Sequence, residues 1–216
     1  MANRPVYETT GTTPFYKKAG TEFVFYSGFS SEQKKRSVRS LHDSYLALHP
    51  NARILEVSSR SEIPLGVQLS AFNLSFETNK GNRLTVETAF QGSKVFEYGG
   101  PYTDLYTGSS LQAKKDPRIR NSGNITSFSF FGTEFETEPK TFFYDWVYIN
   151  ALKKRPDLWD ELMAYSAFTD IEFNPHRSIN CQAEAVAIFV SLNRNHLLDK
   201  ATADSRAFRE IVFGVA

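Results

Sequence analysis

The sequence has only one cysteine, Cys181, and no long apolar segment. A single cysteine cannot form an internal disulfide, which is typical of proteins from a reducing compartment. No window approaches the roughly 20 apolar residues of a membrane-spanning helix, and the N-terminus lacks the apolar region of a signal peptide. From these absences we expect a soluble cytoplasmic protein with no membrane partner.

The chain also lacks a strong charge imbalance and any recognisable metal or nucleotide motif. Its formal net charge is +1, so contact with nucleic acid requires a local basic patch. The four histidines show no metal-ligand spacing, which argues against a zinc site or a Cys–His nucleophile. A phosphate-binding loop and a dinucleotide-binding glycine fingerprint are missing as well, which argues against kinases, NTPases and dehydrogenases. We therefore expect neither a metal nor a cofactor.

Apolar residues are present in sufficient number for a substantial core. The chain has 216 residues, of which 41% are hydrophobic and 14% aromatic, and this fits one large domain. Apolar periodicity and capping residues predict an α+β fold, helix-rich around a small β-sheet. The predicted strands are residues 22–26, 53–57, 68–76 and 125–131, with a brief extended piece at 170–173, and the predicted helices are residues 30–48, 84–96, 139–153, 156–165 and 181–193.

The N-terminal part differs in composition from the remainder. Residues 1–22 are rich in Thr, Gly and Lys and predict an irregular arm. We expect residues 1–53, comprising this arm, a short strand and a basic helix, to form an extension packed on a main domain of residues 54–216.

Two basic stretches are candidates for phosphate contact. The first lies on the predicted helix 30–48 and contains Lys34, Lys35, Arg36 and Arg39. The second, residues 114–120, carries four basic side chains beside a Ser-Gly-Asn turn whose free N–H groups suit a phosphate or pyrophosphate. A solvated helix face and an ordinary basic surface loop are the competing interpretations.

One segment combines a carboxylate, an amide and an amine at helical spacing. Thr85 can cap a helix that begins at Val86, because its hydroxyl accepts from a free first-turn N–H. At about 100° per residue, Glu87, Gln91 and Lys94 then lie within roughly 60° of one another. An ordinary, partly solvated Glu/Lys pair has the same spacing, so spacing alone leaves both interpretations open.

The same segment resembles a family motif. Residues 87–96, ETAFQGSKVF, resemble the Glu-x-x-Phe-Gln-x-x-Lys-x-Phe helix of the NADAR superfamily, which contains N-glycosidases that act on ribosyl and ADP-ribosyl N-glycosides. Upstream, residues 69–73 resemble the family's Leu-Ser-Asn-Phe segment. Downstream, residues 170–172 stand where the family has Leu-Val-Glu, and Asn180 stands where it has an Asn that opens the last helix. This likeness covers about residues 54–194.

Longer stretches resemble the NADAR antitoxins that are paired with DarT-type DNA ADP-ribosyltransferase toxins. These stretches are QGSKVFEYGGPYTDLY, KKDPRIRNSGNITSFSFFG and INCQAEAVAIFVSLNR, and the likeness extends over nearly the whole chain. It implies an ADP-ribosylglycohydrolase that removes ADP-ribose from guanine bases of DNA as the antitoxin of a DarT-type toxin. ADP-ribosylated DNA or ADP-ribose is the implied ligand, and the cognate toxin is the implied partner.

The resemblance also implies roles for single residues. Lys94 is the implied nucleophile, Glu87 the acid/base or the anchor of a sugar hydroxyl, and Glu172 a second catalytic carboxylate. The resemblance implies that Asn180 contacts a ribose or phosphate at a helix N-terminus. The chain departs from the family at residues 88–89, Thr-Ala, where many members have His-Tyr. The expected substrate-binding residues are Gln91, Phe72, Asn73, Asp104, Arg118, Arg120, Asn124, Asp170 and Asn180.

Cleavage of an N-glycosidic bond requires a proton for the leaving base and stabilisation of charge at the anomeric carbon, and a carboxylate can supply both. A lysine can instead attack the anomeric carbon once the sugar ring opens, which gives a Schiff base that water resolves. This route needs a neutral amine, so we expect Lys94 in a partly desolvated pocket. Two alternatives stay open: an N-glycosidase of a free phosphoribosyl or riboflavin-pathway metabolite, and a non-catalytic module that binds ADP-ribose or the toxin.

Overall fold

The structure is a computed structural model that describes residues 1–28, 30–78, 81–176 and 178–215. The chain forms helices and small sheets, which confirms the predicted α+β class. The chain divides into two compact units: unit 1 comprises residues 1–70 and 156–216, and unit 2 comprises residues 71–155. The predicted boundary after residue 53 stays a prediction. In the described part of the chain, no helix has the length and apolar character needed to cross a membrane.

The regular elements are short, apart from three helices and the first two strands. The strands are β1 (Ala2–Thr9), β2 (Tyr16–Phe23), β3 (Ile54–Glu56), β4 (Ser75–Glu77), β5 (Arg83–Thr85), β6 (Lys94–Phe96), β7 (Ile125–Phe130), β8 (Thr133–Phe135) and β9 (Ala167–Thr169). The helices are α1 (Ser31–Leu48), α2 (Pro64–Gln68), α3 (Val86–Gly92), α4 (Ser110–Lys115), α5 (Arg118–Asn121), α6 (Phe142–Lys153), α7 (Trp159–Leu162), α8 (Gln182–Arg194), α9 (Leu198–Ala201) and α10 (Ser205–Phe208). Tighter or wider helical turns lie at Thr103–Thr107, Pro156–Leu158 and Arg209–Phe213.

Unit 1 is built on a four-stranded sheet in the order β2-β1-β9-β3, in which only β3 and β9 run parallel. The prediction of an irregular arm over residues 1–22 was wrong, because β1 and β2 form a hairpin paired from Ala2↔Phe23 to Thr9↔Tyr16. Val6 and Phe23 are fully buried in the core of this unit. Burial against the rest of the unit thus outweighs the weak strand pattern of this Thr- and Lys-rich stretch.

The two longest predicted helices of unit 1 are confirmed, although one predicted cap is wrong. The Ser30 hydroxyl caps α1 by accepting from the backbone N–H of Gln33, as its position before the helix predicts. α8 is buried along most of its length, as its apolar sequence predicts. Its N-cap position is taken by Cys181 and not by Asn180, because the helix begins one residue later than expected.

Unit 2 contains the sheet β6-β7-β8, the hairpin β4-β5, and helices α3 to α6. β7 confirms the strand predicted at residues 125–131. The strand predicted at residues 68–76 was wrong, since only β4 is extended there. The carbonyl oxygens of Ala71 and Leu74 instead accept from the first N–H groups of α3, at 3.0 and 2.9 Å. These bonds tie the stretch to the first turn of α3.

Candidate active site

The helix that carries the motif is buried on every side. The Thr85 hydroxyl accepts from the backbone N–H of Thr88, whose own hydroxyl accepts from the backbone N–H of Thr85, so the predicted cap is present as a capping box. All residues of α3 are buried, and the exposed fractions of Glu87 and Gln91 are 6% and 7%. The interpretation of this segment as a partly solvated helix face is therefore wrong.

Glu87, Gln91 and Lys94 form one hydrogen-bonded chain. Nε2 of Gln91 donates to Oε1 of Glu87 at 2.9 Å, and Nζ of Lys94 donates to Oε1 of Gln91 at 2.8 Å. A neutral amide thus joins the carboxylate to the amine and orients both. The three side chains that the motif predicted to lie together do so.

Lys94 lies on a strand and not on the predicted helix. α3 ends at Gly92, and the Ser93 hydroxyl donates to the carbonyl oxygen of Ala89 at 2.7 Å and contacts the hydroxyl of Tyr106 at 2.8 Å. A Cβ atom on Gly92 would lie 2.6 Å from the Tyr106 ring, so this turn requires glycine. β6 then begins at Lys94 and pairs with β7, because Lys94–Phe96 has the in–out–in burial of a strand.

The ammonium group of Lys94 is held in an aromatic pocket. Its Nζ lies 4.6 Å from the ring centroid of Phe90, and the Phe90 ring packs in turn on Phe128, Phe143 and Tyr144. Burial lowers the pKa of Lys94 to about 8; Lys114 acts in the same direction, and the carboxylate of Glu87 opposes the shift. A substantial fraction of this amine is therefore neutral near physiological pH, as the expected desolvated pocket requires.

Phe72 and Asn73 lie in the turn that precedes β4. The carbonyl oxygen of Phe72 accepts from the Ser110 hydroxyl at 2.9 Å. Phe72 is partly exposed, and Asn73 is exposed. Nζ of Lys114 lies 5.1 Å from the Phe72 ring centroid. Sequence reasoning missed this Lys114–Phe72 contact, because no local pattern links residues that far apart in the chain.

The basic segment of residues 114–120 spans the end of α4 and most of α5, and the carboxylates of residues 104 and 116 partly neutralise it. The guanidinium of Arg118 pairs with Asp104 at 2.6 Å and Asp116 at 2.9 Å, and it packs over the ring of Tyr102 at 4.5 Å. Arg120 is exposed and has no ion pair with any described residue. Within this segment, Arg120 is thus more available to an external phosphate than Arg118.

Asn124 is also engaged within unit 2. Its backbone N–H and its side-chain Nδ2 donate to the two carboxylate oxygens of Glu97, each at 3.1 Å. This pair lowers the pKa of the Glu97 carboxyl. The expected substrate contacts of Asp104, Arg118 and Asn124 stay predictions, and each of these residues already has a partner within unit 2.

The remaining expected site residues, Asp170, Glu172 and Asn180, belong to unit 1. The extended piece predicted at residues 170–173 is a turn, because Oδ1 of Asp170 accepts from the N–H groups of Glu172 and Phe173 at 3.0 and 3.1 Å. Glu172 pairs with Arg60 at 3.1 Å and with Lys34 at 3.9 Å. Oδ1 of Asn180 is buried and has no hydrogen-bond partner in the described chain. Their roles in the site stay predictions.

Among the residues that the structure describes, no three His, Cys, Asp or Glu side chains come together to hold a metal ion.

A comparison with family models matches residues 2–215 to the family described as DarT1-associated NADAR antitoxin. A comparison with curated proteins gives no match. The family match covers nearly the whole sequence, including the three hydrogen-bonded residues Glu87, Gln91 and Lys94.

Proposed function

The chain belongs to the DarT1-associated NADAR antitoxin family, and from this premise we propose that it hydrolyses the N-glycosidic bond between ADP-ribose and a guanine base of DNA. The products of this hydrolysis are ADP-ribose and unmodified DNA, so the reaction reverses the action of a DNA ADP-ribosyltransferase toxin. Lys94 is the nucleophile of this proposal, Glu87 its acid/base and Gln91 the residue that orients both.

The hydrogen-bonded chain Glu87–Gln91–Lys94 carries the proposal. Lys94 is 9% exposed, and its pKa of about 8 keeps part of the amine unprotonated. A neutral amine buried beside a carboxylate suits covalent attack on a carbonyl-like carbon followed by proton transfer. A module that only binds ADP-ribose has no need of a desolvated amine.

The proposed reaction balances as a hydrolysis. The sugar ring opens as the ring oxygen takes a proton from the Glu87 carboxyl, which leaves an electrophilic carbon bonded to the base nitrogen. The neutral Lys94 amine adds to this carbon, and one of the two protons of the resulting ammonium passes to the base nitrogen. The carbon–nitrogen bond to the base then breaks, which releases the neutral base and leaves a protonated imine on Lys94. The resulting protonated imine is attacked by water, whose proton is accepted by the Glu87 carboxylate. Breakage of the bond to Lys94 then releases ADP-ribose and the free amine.

The decisive experiment incubates the protein with ADP-ribosylated DNA and measures released ADP-ribose and restored guanine. We expect multiple turnovers from the parent protein and none from Lys94→Ala, with both proteins melting cooperatively. Cleavage of a free phosphoribosyl metabolite with no action on modified DNA would support the metabolite enzyme instead. Tight binding of ADP-ribose without release from any substrate would support a binding module.

A further inference from the structure

We infer that Phe72 and Lys114 form the subsite for the leaving base, with the base stacked on Phe72 and Lys114 bound to the acceptor edge of a guanine. The inference rests on the proposed function, because it concerns the base that the reaction releases. It assigns base recognition to a contact between two residues of unit 2.

The backbone around Phe72 is bonded to the turn that carries Glu87. The N–H of Glu87 donates to the carbonyl oxygen of Ala71 at 3.0 Å. The Ser110 hydroxyl joins the carbonyl oxygen of Phe72, at 2.9 Å, to the hydroxyl of Thr85, the α3 cap, at 2.8 Å. The backbone of Phe72 is therefore fixed next to the first turn of α3.

Lys114 lies one helical turn after Ser110 on α4, and its ammonium rests over the partly exposed Phe72 ring. The positive charge of Lys114 also lowers the pKa of Lys94, so it lies within electrostatic reach of the nucleophile. The Phe72–Lys114 pair thus lies beside the first turn of α3, the turn that carries Glu87.

The chemistry of this pair fits a guanine. The leaving base must lie beside the carbon that Lys94 attacks, and an aromatic ring is a stacking partner for any planar base. A lysine offers only donors, which match the O6 and N7 acceptors of guanine; adenine places a donor amino group in the position of O6. On binding, the flexible Lys114 ammonium moves from the ring to the base edge.

The test compares kcat/KM for DNA that carries ADP-ribose on guanine with kcat/KM for DNA that carries it on 2-aminopurine, which lacks O6. We expect the parent to prefer guanine by about tenfold or more, since one good donor–acceptor contact discriminates on this scale. Lys114→Met, which leaves no N–H donor at this position, should lose most of this preference by losing activity on guanine. A ratio between two substrates of the same enzyme cancels any change in the ionisation of Lys94.

Companion variants separate stacking from charge. Phe72→Leu should lower kcat/KM on both substrates, while Phe72→Trp should restore it because the indole also stacks. The control is Lys154→Met, which removes the same kind of contact from Phe76, where Nζ of Lys154 lies 5.7 Å from the ring centroid. It should leave the substrate ratio unchanged.

Three results would overturn the inference. An active parent whose preference persists in Lys114→Met would refute base reading and leave the proposed function intact. Equal losses on both substrates in Lys114→Met would place Lys114 on the phosphates that the substrates share. A parent with no activity on either substrate would refute the proposed function itself.

Discussion

Nζ of Lys94 lies 2.8 Å from Oε1 of Gln91, at the acceptor end of an amide whose donor end faces a carboxylate. Because an amide has one donor and one acceptor end, these two contacts fix the orientation of the Gln91 side chain. The amide therefore holds the side chains of Glu87 and Lys94 in place relative to each other without adding a charge. A charged residue at position 91 would alter the ionisation of both neighbours.

Gln91→Glu is the sharpest test of this arrangement. A carboxylate beside Lys94 stabilises its ammonium, so the pKa of the nucleophile should rise and the acid limb of kcat/KM should move up by at least about one pH unit. Activity at pH 7.5 should fall about tenfold and recover at higher pH. Gln112→Glu, which adds the same charge on the surface of α4 and preserves its capping box, is the control. Coincident pH profiles for Gln91→Glu and the parent would show that Gln91 does not act on Lys94.

Glu87→Gln should separate charge from shape. The amide oxygen of the new side chain can still accept from Nε2 of Gln91, so the fold should survive and the melting temperature should change little. Turnover of ADP-ribosylated DNA should drop by about 10²-fold or more, the usual scale for loss of an acid/base group. Nearly normal turnover would assign this role to another carboxylate, of which Glu172 is the next candidate.

Arg118 and Arg120 should affect DNA binding differently although they are two residues apart. Arg118 is already neutralised by Asp104 and Asp116, whereas Arg120 is exposed. Arg120→Gln should reduce the slope of log affinity against log salt by about 0.7 to 0.9, as expected for one lost phosphate contact. Arg118→Gln should leave that slope unchanged and lower the melting temperature. The measurement is a salt titration of DNA binding, and equal slopes for Arg120→Gln and the parent would leave Arg120 as ordinary surface.

The sequence was sufficient where local signals and tertiary structure agree. The cap at Ser30 and the apolar run of α8 each produced the predicted element, and the strand predicted at residues 125–131 is present as β7. The grouping of Glu87, Gln91 and Lys94 was also predictable, although the prediction that Lys94 lies on the same helix was wrong. A helix and a helix-to-strand turn both bring residues 91 and 94 together, and periodicity over so few residues does not distinguish them.

Other features depend on partners that are distant in the chain and have no local signal. Arg118 meets Asp104, Glu172 meets Arg60, and Lys114 meets Phe72 only after folding. The stretch around Ala71 illustrates the same limit, because its alternating residues indicate a strand while its carbonyl groups bond to α3. Which basic residues remain available to a ligand could therefore not be predicted from the sequence.

A buried carboxyl in unit 1 should make stability depend on pH. Burial raises the pKa of Glu56 above its ordinary value of 4.5, Glu172 acts in the same direction, and hydrogen bonds from Ser58, Ile171 and Thr169 oppose the shift. The pKa of the Asp170 carboxyl is raised too, through burial and the charge of Glu56.

The folded protein thus keeps a proton that the unfolded chain has lost above about pH 4.5, so this contribution to stability falls as pH rises. Glu56→Gln cannot titrate, and its deficit in unfolding free energy relative to the parent should be smaller at pH 8 than at pH 5. Urea unfolding at both pH values measures this, with the exposed Glu134→Gln as control. Equal deficits at the two pH values would show that Glu56 does not titrate in this window.

The last prediction concerns the covalent step at Lys94. The pKa of about 8 places the change from ammonium to amine inside the accessible pH range. Only the amine attacks carbon, so kcat/KM should rise through about pH 8 and level off above it. Borohydride added during turnover should reduce the imine and leave ADP-ribose bound to the protein, and peptide mapping should locate it on Lys94.

Two variants make this prediction specific. Lys94→Arg should neither turn over nor be trapped, because a guanidinium stays protonated and cannot act as the nucleophile. Lys154→Arg should behave like the parent, since Lys154 is an exposed lysine of the same unit that contacts Phe76. Release of ADP-ribose by Lys94→Ala at a rate comparable with the parent would refute the Schiff-base route. The reaction would then proceed by attack of a water molecule activated by a carboxylate, and the lowered pKa of Lys94 would reflect burial without covalent catalysis.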